Sequence, residues 1–166
     1  MKRHISLFAC IAIILCSSMT INASDSIPKD TSIDNQYIEY IEEVCDEYGM
    51  CPELIEAIIE SESGGNPDRR SSCDARGLMQ IIPIYHQDEM YELGITDLFD
   101  PYQNIELGVY IISNLAAEYD DLYSVLMAYN EGEFSGAVER AEEGKWSEYS
   151  KKIVNRTQEL ERLHGK

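Results

Sequence analysis

Glu62 is the residue in this sequence whose setting best suits acid–base chemistry. It follows a stretch in which Leu54, Ile55, Ile58 and Ile59 recur with the three- and four-residue spacing of a helix. At about 100° per residue, Ile55 and Ile58 lie within roughly 40° of Glu62 on that helix. The other acids of the stretch are predicted on the side that faces solvent: Glu53, Glu56 and Glu60.

A carboxyl group on the apolar side of a helix is prepared for general acid catalysis. Burial disfavours the ionised form and raises the pKa, and an acid whose pKa lies near the working pH transfers protons efficiently. The glycine-rich residues 64–67 follow directly, so the carboxyl group could open into a cleft. In the alternative interpretation, the helix frays before residue 62 and the carboxylate is solvated. Periodicity leaves both interpretations open.

Other catalytic chemistries lack their sequence signatures. There is no GxSxG segment and no phosphate-binding GxxxxGK[ST] loop. Ser61 and Ser63 have no histidine near them in sequence. The chain has no CxxC or Cys/His cluster, and His86 near Asp88 is better explained as part of a polar loop. We therefore expect no metal and no cofactor, and carboxylates remain as the chemically competent groups.

Length and charge narrow the class of protein. The chain has 166 residues, 44% of them hydrophobic, which suits one domain with one core. Lys and Arg total 13 against 31 Asp and Glu, for a formal net charge of −18. Because nucleic-acid affinity comes largely from cationic side chains, no nucleic-acid partner is expected.

The first residues have the organisation of an export signal. Lys2 and Arg3 precede a short apolar run, and small polar residues lead to a possible cleavage site after residue 23. We predict a signal peptide over residues 1–23 and a flexible leader over residues 24–33. The alternatives are an uncleaved membrane anchor and a lipid-modified Cys16, which the bulky Leu15 disfavours. No stable membrane insertion is expected after cleavage.

The remaining residues, 34–166, are predicted to form a mostly α-helical domain. Asp34, Asp100 and either Asp120 or Asp121 are candidate N-caps, and a last helix is expected from about Ser147. No alternating strand pattern of useful length is present. Three cysteines remain after cleavage, which allows at most one intramolecular disulfide whose pairing the spacing does not determine: Cys45, Cys51 and Cys73.

Four motifs occur in order along the chain: ESGGNP at 62–67, GLMQIIP at 77–83, DP and NI within 100–105 followed by Gly108, and AYN at 128–130 followed by Gly132. Together they resemble the soluble lytic transglycosylase (SLT) domain of lysozyme-like, peptidoglycan-cleaving enzymes. The similarity extends from about Tyr37 to Val154. It implies a mainly α, lysozyme-like fold with little or no β structure, in a single compact domain.

The resemblance implies that Glu62 is the single catalytic glutamate. It would protonate the glycosidic oxygen between N-acetylmuramic acid and N-acetylglucosamine, then take the proton from the muramic C6 hydroxyl. That hydroxyl attacks C1 and leaves a 1,6-anhydro sugar, so no water is consumed. An ordinary glycosidase needs a second carboxylate for the nucleophile or the base.

The resemblance also implies substrate-binding roles for Ser63, Met79, Gln80, Tyr129 and Asn130. The Gln80 amide can donate to and accept from sugar groups, and Tyr129 offers a ring and a hydroxyl near Glu62. For Ser63 the alternative is shaping the helix end, for Met79 packing beneath the cleft, and for Tyr129 a place in the core. Tyr149 occupies a position that is often aromatic in the family, and its expected role is packing in the core.

Some segments depart from the family pattern. Residues 84–88 lack the small Thr-Ala pattern common there, Cys51 and Cys73 replace other residues, and Glu131 and Glu133 add negative charge beside the AYN motif. These departures leave subsite preference and pH optimum open. They do not alter the assignment of Glu62.

The expected protein is a secreted or cell-envelope monomer that acts on peptidoglycan glycan strands, with secretion or conjugation machinery as a candidate partner. One alternative is a hydrolase similar to goose-type lysozymes, in which Asp74 or Asp97 would have to place water. The other is a wall-binding or assembly protein that keeps the fold without turnover.

Overall fold

The computed structural model describes residues 33–166, so the predicted signal peptide and nearly all of the leader lie outside the described residues. Within this range the chain is helical, with isolated β-bridges but no strand. The α-helices are α1 (Asn35–Tyr48), α2 (Pro52–Glu62), α3 (Gln87–Leu93), α4 (Pro101–Glu118), α5 (Leu122–Glu131), α6 (Ala137–Glu142) and α7 (Glu148–Leu163). The mainly α fold class predicted from the sequence is confirmed.

The predicted caps define the helix ends. The carboxylates of Asp34, Asp100 and Asp121 accept hydrogen bonds from backbone N–H groups at the starts of α1, α4 and α5. Ser147 caps α7 in the same way. Gly49 ends α1 with a φ of 67°, a left-handed conformation that favours glycine. Local side-chain chemistry therefore sets these boundaries.

The helices pack in pairs around one large apolar core. α2 lies against α7, α1 lies against α4, and α5 packs against both α4 and α7. The fully buried side chains of this core are largely isoleucine and leucine from α1, α2, α4 and α5. Because α2 carries Glu62 at its last position and α7 lies alongside, the core fixes these two helices around the candidate site.

The solvent exposure predicted for two acidic residues of α2 is wrong. Glu53 and Glu56 are each only 1% exposed, although the apolar pattern predicted them on the solvent side. The end of α7 and the residues after it cover this face of α2. Nδ1 of His164 lies 2.9 Å and Nζ of Lys166 lies 2.6 Å from Oε1 of Glu53. His164 and Lys166, which are more than a hundred residues from Glu53 in the sequence, therefore help to bury this face of α2.

The two buried acids have opposite pKa shifts. Burial raises the pKa of Glu53, but hydrogen bonds from Lys166 and His164 outweigh burial and bring the pKa down to about 2. Burial raises the pKa of Glu56 to about 7, and its Oε2 has no hydrogen-bond partner among the described residues.

Glu56→Gln should remove a pH-dependent loss of stability. In the wild type, the folded state holds the Glu56 proton more tightly than the unfolded chain, whose glutamate pKa is 4.5. The stabilisation is complete below pH 4.5 and is lost as the pH rises to about 7, which amounts to about 3 kcal/mol. Urea unfolding between pH 4.5 and 8 should show this decline in the wild type and a flatter curve in the variant.

The matched control for this prediction is Glu118→Gln, which alters an exposed acid on α4. Its stability curve should run parallel to that of the wild type. Glu53, Glu60 and Glu42 surround Glu56 with negative charge, and His164 contributes positive charge. Parallel curves for Glu56→Gln and the wild type would contradict the burial argument.

The described residues include neither a membrane-spanning helix nor a disulfide. No helix within residues 33–166 is long and apolar enough to cross a bilayer. Cys45 is buried, Cys51 is half-buried and Cys73 is exposed, and all three are free thiols in the structure. Burial raises the pKa of the Cys45 thiol to about 12, which disfavours its reactive thiolate form.

Candidate active site

Glu62 is the last residue of α2 and is half-buried. Its side chain does not extend into bulk solvent: the hydroxyl of Tyr149, on α7, donates a hydrogen bond of 2.7 Å to Oε1 of Glu62. The helix remains intact up to this residue, so the frayed-helix interpretation does not hold here. The carboxyl group is held between α2 and α7.

Burial is the largest influence on the protonation of Glu62. It raises the pKa of the carboxyl, while the hydrogen bond from Tyr149 and the positive charges of Arg69 and Lys152 lower it. Burial outweighs these three effects, so the pKa stays above the ordinary glutamate value of 4.5. A carboxyl in this state can donate a proton at mildly acidic pH.

Tyr149 is the partner of Glu62 that sequence reasoning missed. It packs against the core, as expected, but its hydroxyl also reaches the carboxyl group 87 positions away in the sequence. Burial and the charge of Glu62 raise the pKa of Tyr149, so the phenol remains a neutral donor. The sequence shows only that position 149 is aromatic, as it often is in the family. It does not show that this tyrosine contacts Glu62.

We expect Tyr149→Phe to lower activity on peptidoglycan by about tenfold, because Glu62 loses a charge-assisted hydrogen bond that orients it. That bond favours the carboxylate form, so its loss raises the pKa of Glu62. The pH at which kcat/KM declines on the alkaline side should therefore move upward. Tyr123→Phe is the control, because it removes the same hydroxyl from a different tyrosine, whose ring stacks on Trp146 with ring centroids 4.1 Å apart. An unshifted pH profile for Tyr149→Phe would contradict the role.

Tyr129 connects α5 to the segment that contains Gln80. Its hydroxyl donates a hydrogen bond of 2.7 Å to the carbonyl oxygen of Met79. Burial, and then the charge of Glu62, raise the pKa of Tyr129. The ring also packs against the core, so Tyr129 has both a structural position and proximity to Glu62. Asn130 follows it and is exposed.

Gln80 and Met79 have different surroundings. Gln80 is half-buried with a φ of 51°, and its side-chain Nε2 donates to the carbonyl oxygens of Arg69 and Gly77 at 3.1 and 3.0 Å. Met79 has no exposed surface and packs against Gly108, where an added Cβ would meet its sulfur. The Met79 side chain therefore lies beneath the surface, as in the packing alternative.

Ser63 shapes the end of α2. Its hydroxyl donates to the carbonyl oxygen of Ile59 at 3.1 Å and accepts from the backbone N–H of Gly65 at 3.2 Å. The side chain is buried, so these two bonds account for both of its hydrogen-bonding functions. This geometry favours the shaping role for Ser63.

Asn104, on α4, holds the loop that contains Met79 and Gln80. Its Oδ1 accepts from the backbone N–H of Met79 at 2.8 Å. Its Nδ2 donates to the carbonyl oxygens of Arg76 and Leu98, each at 2.9 Å. Asn104 is fully buried, so this side chain replaces water for three backbone groups. In the sequence Asn104 belongs to the third motif, whose pattern gives no indication of these bonds.

Two cations lie beside Glu62. Nη1 of Arg69 donates to the carbonyl oxygen of Ser63 at 3.5 Å, and Nζ of Lys152 donates to the hydroxyl of Ser61 at 3.1 Å. The residues on either side of Glu62 are thus each bonded to a positive side chain. The assembled site contains a half-buried acid, a neutral phenol donor and two cations.

This arrangement can transfer protons with one carboxyl group. Among residues 33–166, no cluster of three or more His, Cys, Asp or Glu side chains could hold a metal ion. The two acids suggested by the hydrolase alternative have local partners. Asp74 accepts from Arg70 and Arg76, and Asp97 accepts from the backbone N–H of Phe99.

Comparisons with known proteins identify relatives that are longer than this chain. A transglycosylase of Enterobacteria phage PRD1 is 34% identical over 97 residues, which are 58% of this chain and 35% of the relative. Membrane-bound lytic murein transglycosylase C of Mannheimia succiniciproducens is 32% identical over 138 residues, with 74% of this chain and 38% of the relative covered. The chain therefore spans little more than a third of the length of these relatives.

Solved structures share the fold. An inactive mutant of the lytic transglycosylase Slt from Pseudomonas aeruginosa matches with a TM-score of 0.66 and 21% identity, covering 76% of this chain and 24% of that one. The 70 kDa soluble lytic transglycosylase of Escherichia coli matches with a TM-score of 0.66 and 21% identity, covering 78% and 24%. The family model for the transglycosylase SLT domain matches residues 39–153, which is more than half of the chain. The chain therefore belongs to the transglycosylase SLT domain family.

Proposed function

We propose that this protein is an exported lytic transglycosylase that cleaves the bond between N-acetylmuramic acid and N-acetylglucosamine in peptidoglycan. The observation that carries the proposal is the half-buried Glu62 carboxyl, which receives a hydrogen bond from the neutral Tyr149 hydroxyl and has a raised pKa. Membership of the transglycosylase SLT domain family and similarity to lytic murein transglycosylases support the same activity.

In the proposed mechanism, Glu62 protonates the glycosidic oxygen and then accepts the proton of the muramic C6 hydroxyl. That oxygen bonds to C1, the bond from C1 to the leaving N-acetylglucosamine breaks, and the 1,6-anhydro product carries no added water. The substrate supplies the nucleophile, so one carboxyl group serves as acid and then as base. Ser63 shapes the end of α2, Met79 lies beneath the cleft, and Gln80, Tyr129 and Asn130 are the proposed contacts with the sugars.

Digestion of purified sacculi in H₂¹⁸O tests the reaction class. We expect muropeptides that are one water lighter than hydrolytic products and contain no ¹⁸O. Reducing-end muramic acid carrying ¹⁸O would identify the lysozyme-type hydrolase instead. Binding to glycan without any cleavage would identify the wall-binding or assembly protein.

We also propose that the protein is exported to the cell envelope. The predicted signal peptide supports export to the cell envelope, where peptidoglycan lies, with removal of residues 1–23 on the way. Recruitment by secretion or conjugation machinery is a further proposal. Sequencing the N-terminus of the exported protein tests the cleavage, and a start at Met1 would contradict it.

A further inference from the structure

Most cations of the described chain are neutralised by carboxylates. These ion pairs join Arg70 and Arg76 to Asp74, Arg140 to Glu131, Lys145 to Glu143, Lys151 to Glu148, Arg156 to Glu60 and Glu159, and Lys166 to Glu53. In a chain with a net charge of −18, such pairing is expected.

Arg69 and Lys152 differ from these residues. Both are exposed, and neither takes part in an ion pair within residues 33–166. Arg69 donates a hydrogen bond to the carbonyl oxygen of Ser63, and Lys152 donates one to the hydroxyl of Ser61, so both bonds go to neutral oxygens. Two cations without carboxylate partners therefore lie on either side of Glu62, and both act on its carboxyl through space.

A groove lies between α2 and α7. Its volume is about 500 Å³, and its lining includes Lys152 and Ser61, the residue that precedes Glu62 in the sequence. Further along, its walls include Asn155 and the ion pair of Arg156 with Glu60. Lys152 lines this groove and also acts on the Glu62 carboxyl, so it is positioned to meet a branch of a strand bound at Glu62.

We propose that Arg69 and Lys152 bind a carboxylate on the 3-O-lactyl branch of the muramic acid bound beside Glu62. The proposal rests on the proposed function, because it takes the glycan strand as the ligand. A negatively charged protein repels an anionic strand, and a local pair of cations makes the potential less negative where the strand must bind. The carboxylate belongs either to the lactyl group itself or to the stem peptide attached to it.

Four soluble, uncrosslinked glycan strands separate these two sources. One strand is stripped by an amidase and carries free lactyl carboxylates, and one retains its acidic stem peptides. Their two counterparts have all carboxylates converted to neutral N-methylamides. Affinities are measured by calorimetry with Glu62→Gln protein, in which the strand is not expected to be consumed. The binding result then stands independently of turnover.

We expect Glu62→Gln protein to bind at least one carboxylate strand about fivefold more tightly than its amide counterpart. Adding Arg69→Gln and Lys152→Gln should reduce this ratio to less than about twofold, and raising the salt concentration should reduce it in the parent protein. Adding Arg70→Gln and Lys151→Gln instead provides the control, since these neighbouring cations are already paired. The ratio should then be retained.

A preference for the stripped strand would assign the lactyl carboxylate, and a preference confined to the peptide-bearing strand would assign the stem. Equal affinity for charged and amidated strands would overturn the proposal, as would a preference that survives the double substitution. Absence of 1,6-anhydro products with the wild-type protein would count against the proposed function and would leave the binding ratio as a separate result.

Discussion

Glu62→Gln should lower the rate of peptidoglycan cleavage by about a thousandfold, because the glutamine amide cannot supply the proton that the leaving oxygen requires. The substitution preserves the size of the side chain and its carbonyl oxygen, which can still accept the hydrogen bond from Tyr149. The fold and the affinity for glycan should therefore be retained. Release of soluble muropeptides from sacculi, quantified by mass spectrometry, gives the rate.

The control is Glu39→Gln, which removes an exposed carboxyl on α1. Its activity should equal that of the wild type, since Glu39 is not among the groups that act on the Glu62 carboxyl. If Glu62→Gln keeps more than a tenth of the wild-type rate, another group supplies the proton and the assignment of Glu62 is wrong.

Asn104→Leu should give the largest loss of stability, roughly 3 kcal/mol in the free energy of unfolding. Leucine fills a similar volume but leaves two buried backbone groups without partners, the N–H of Met79 and the carbonyl of Leu98. The carbonyl of Arg76 loses one of its two hydrogen bonds and keeps the one from the N–H of Ile81. The loop that contains Gln80 would also lose these hydrogen bonds to α4 and would be held there by the packing of Met79 against Gly108. Activity should therefore fall by more than the fraction of unfolded protein explains.

Urea unfolding measures this loss as a lower midpoint at an unchanged slope. Asn114→Leu is the matched control, because Asn114 is on the same helix and is exposed. It should change the free energy of unfolding by less than about 0.5 kcal/mol. Equal stability of the two variants would show that the Asn104 hydrogen bonds do not hold the loop.

Local patterns predicted the helices well because the signals lie within a few residues of each end. Asp34 caps α1 and Ser147 caps α7, as expected. The helical spacing in α2 also placed Glu62 correctly on the apolar side of the helix, because the isoleucines that share this side are its near neighbours in the sequence. α3 was not predicted, since its seven residues offer little periodicity.

Contacts between distant segments could not be predicted from local patterns. Glu53 and Glu56 were expected in solvent, and the residues that bury them lie beyond the end of α7. The hydrogen bond between Tyr149 and Glu62 was missed for the same reason. A periodic pattern shows which face of a helix is apolar, but it does not show which distant side chain will meet a polar residue there.

The protonation state of Glu62 is the central claim, and a direct titration of its carboxyl carbon tests it most directly. The protein is labelled with ¹³C at glutamate side chains, and the Glu62 resonance is identified by its absence from the spectrum of Glu62→Gln. We predict a titration midpoint above the ordinary glutamate value of 4.5. A midpoint at or below 4.5 would contradict the account, because the carboxyl would then be ionised where it must donate a proton.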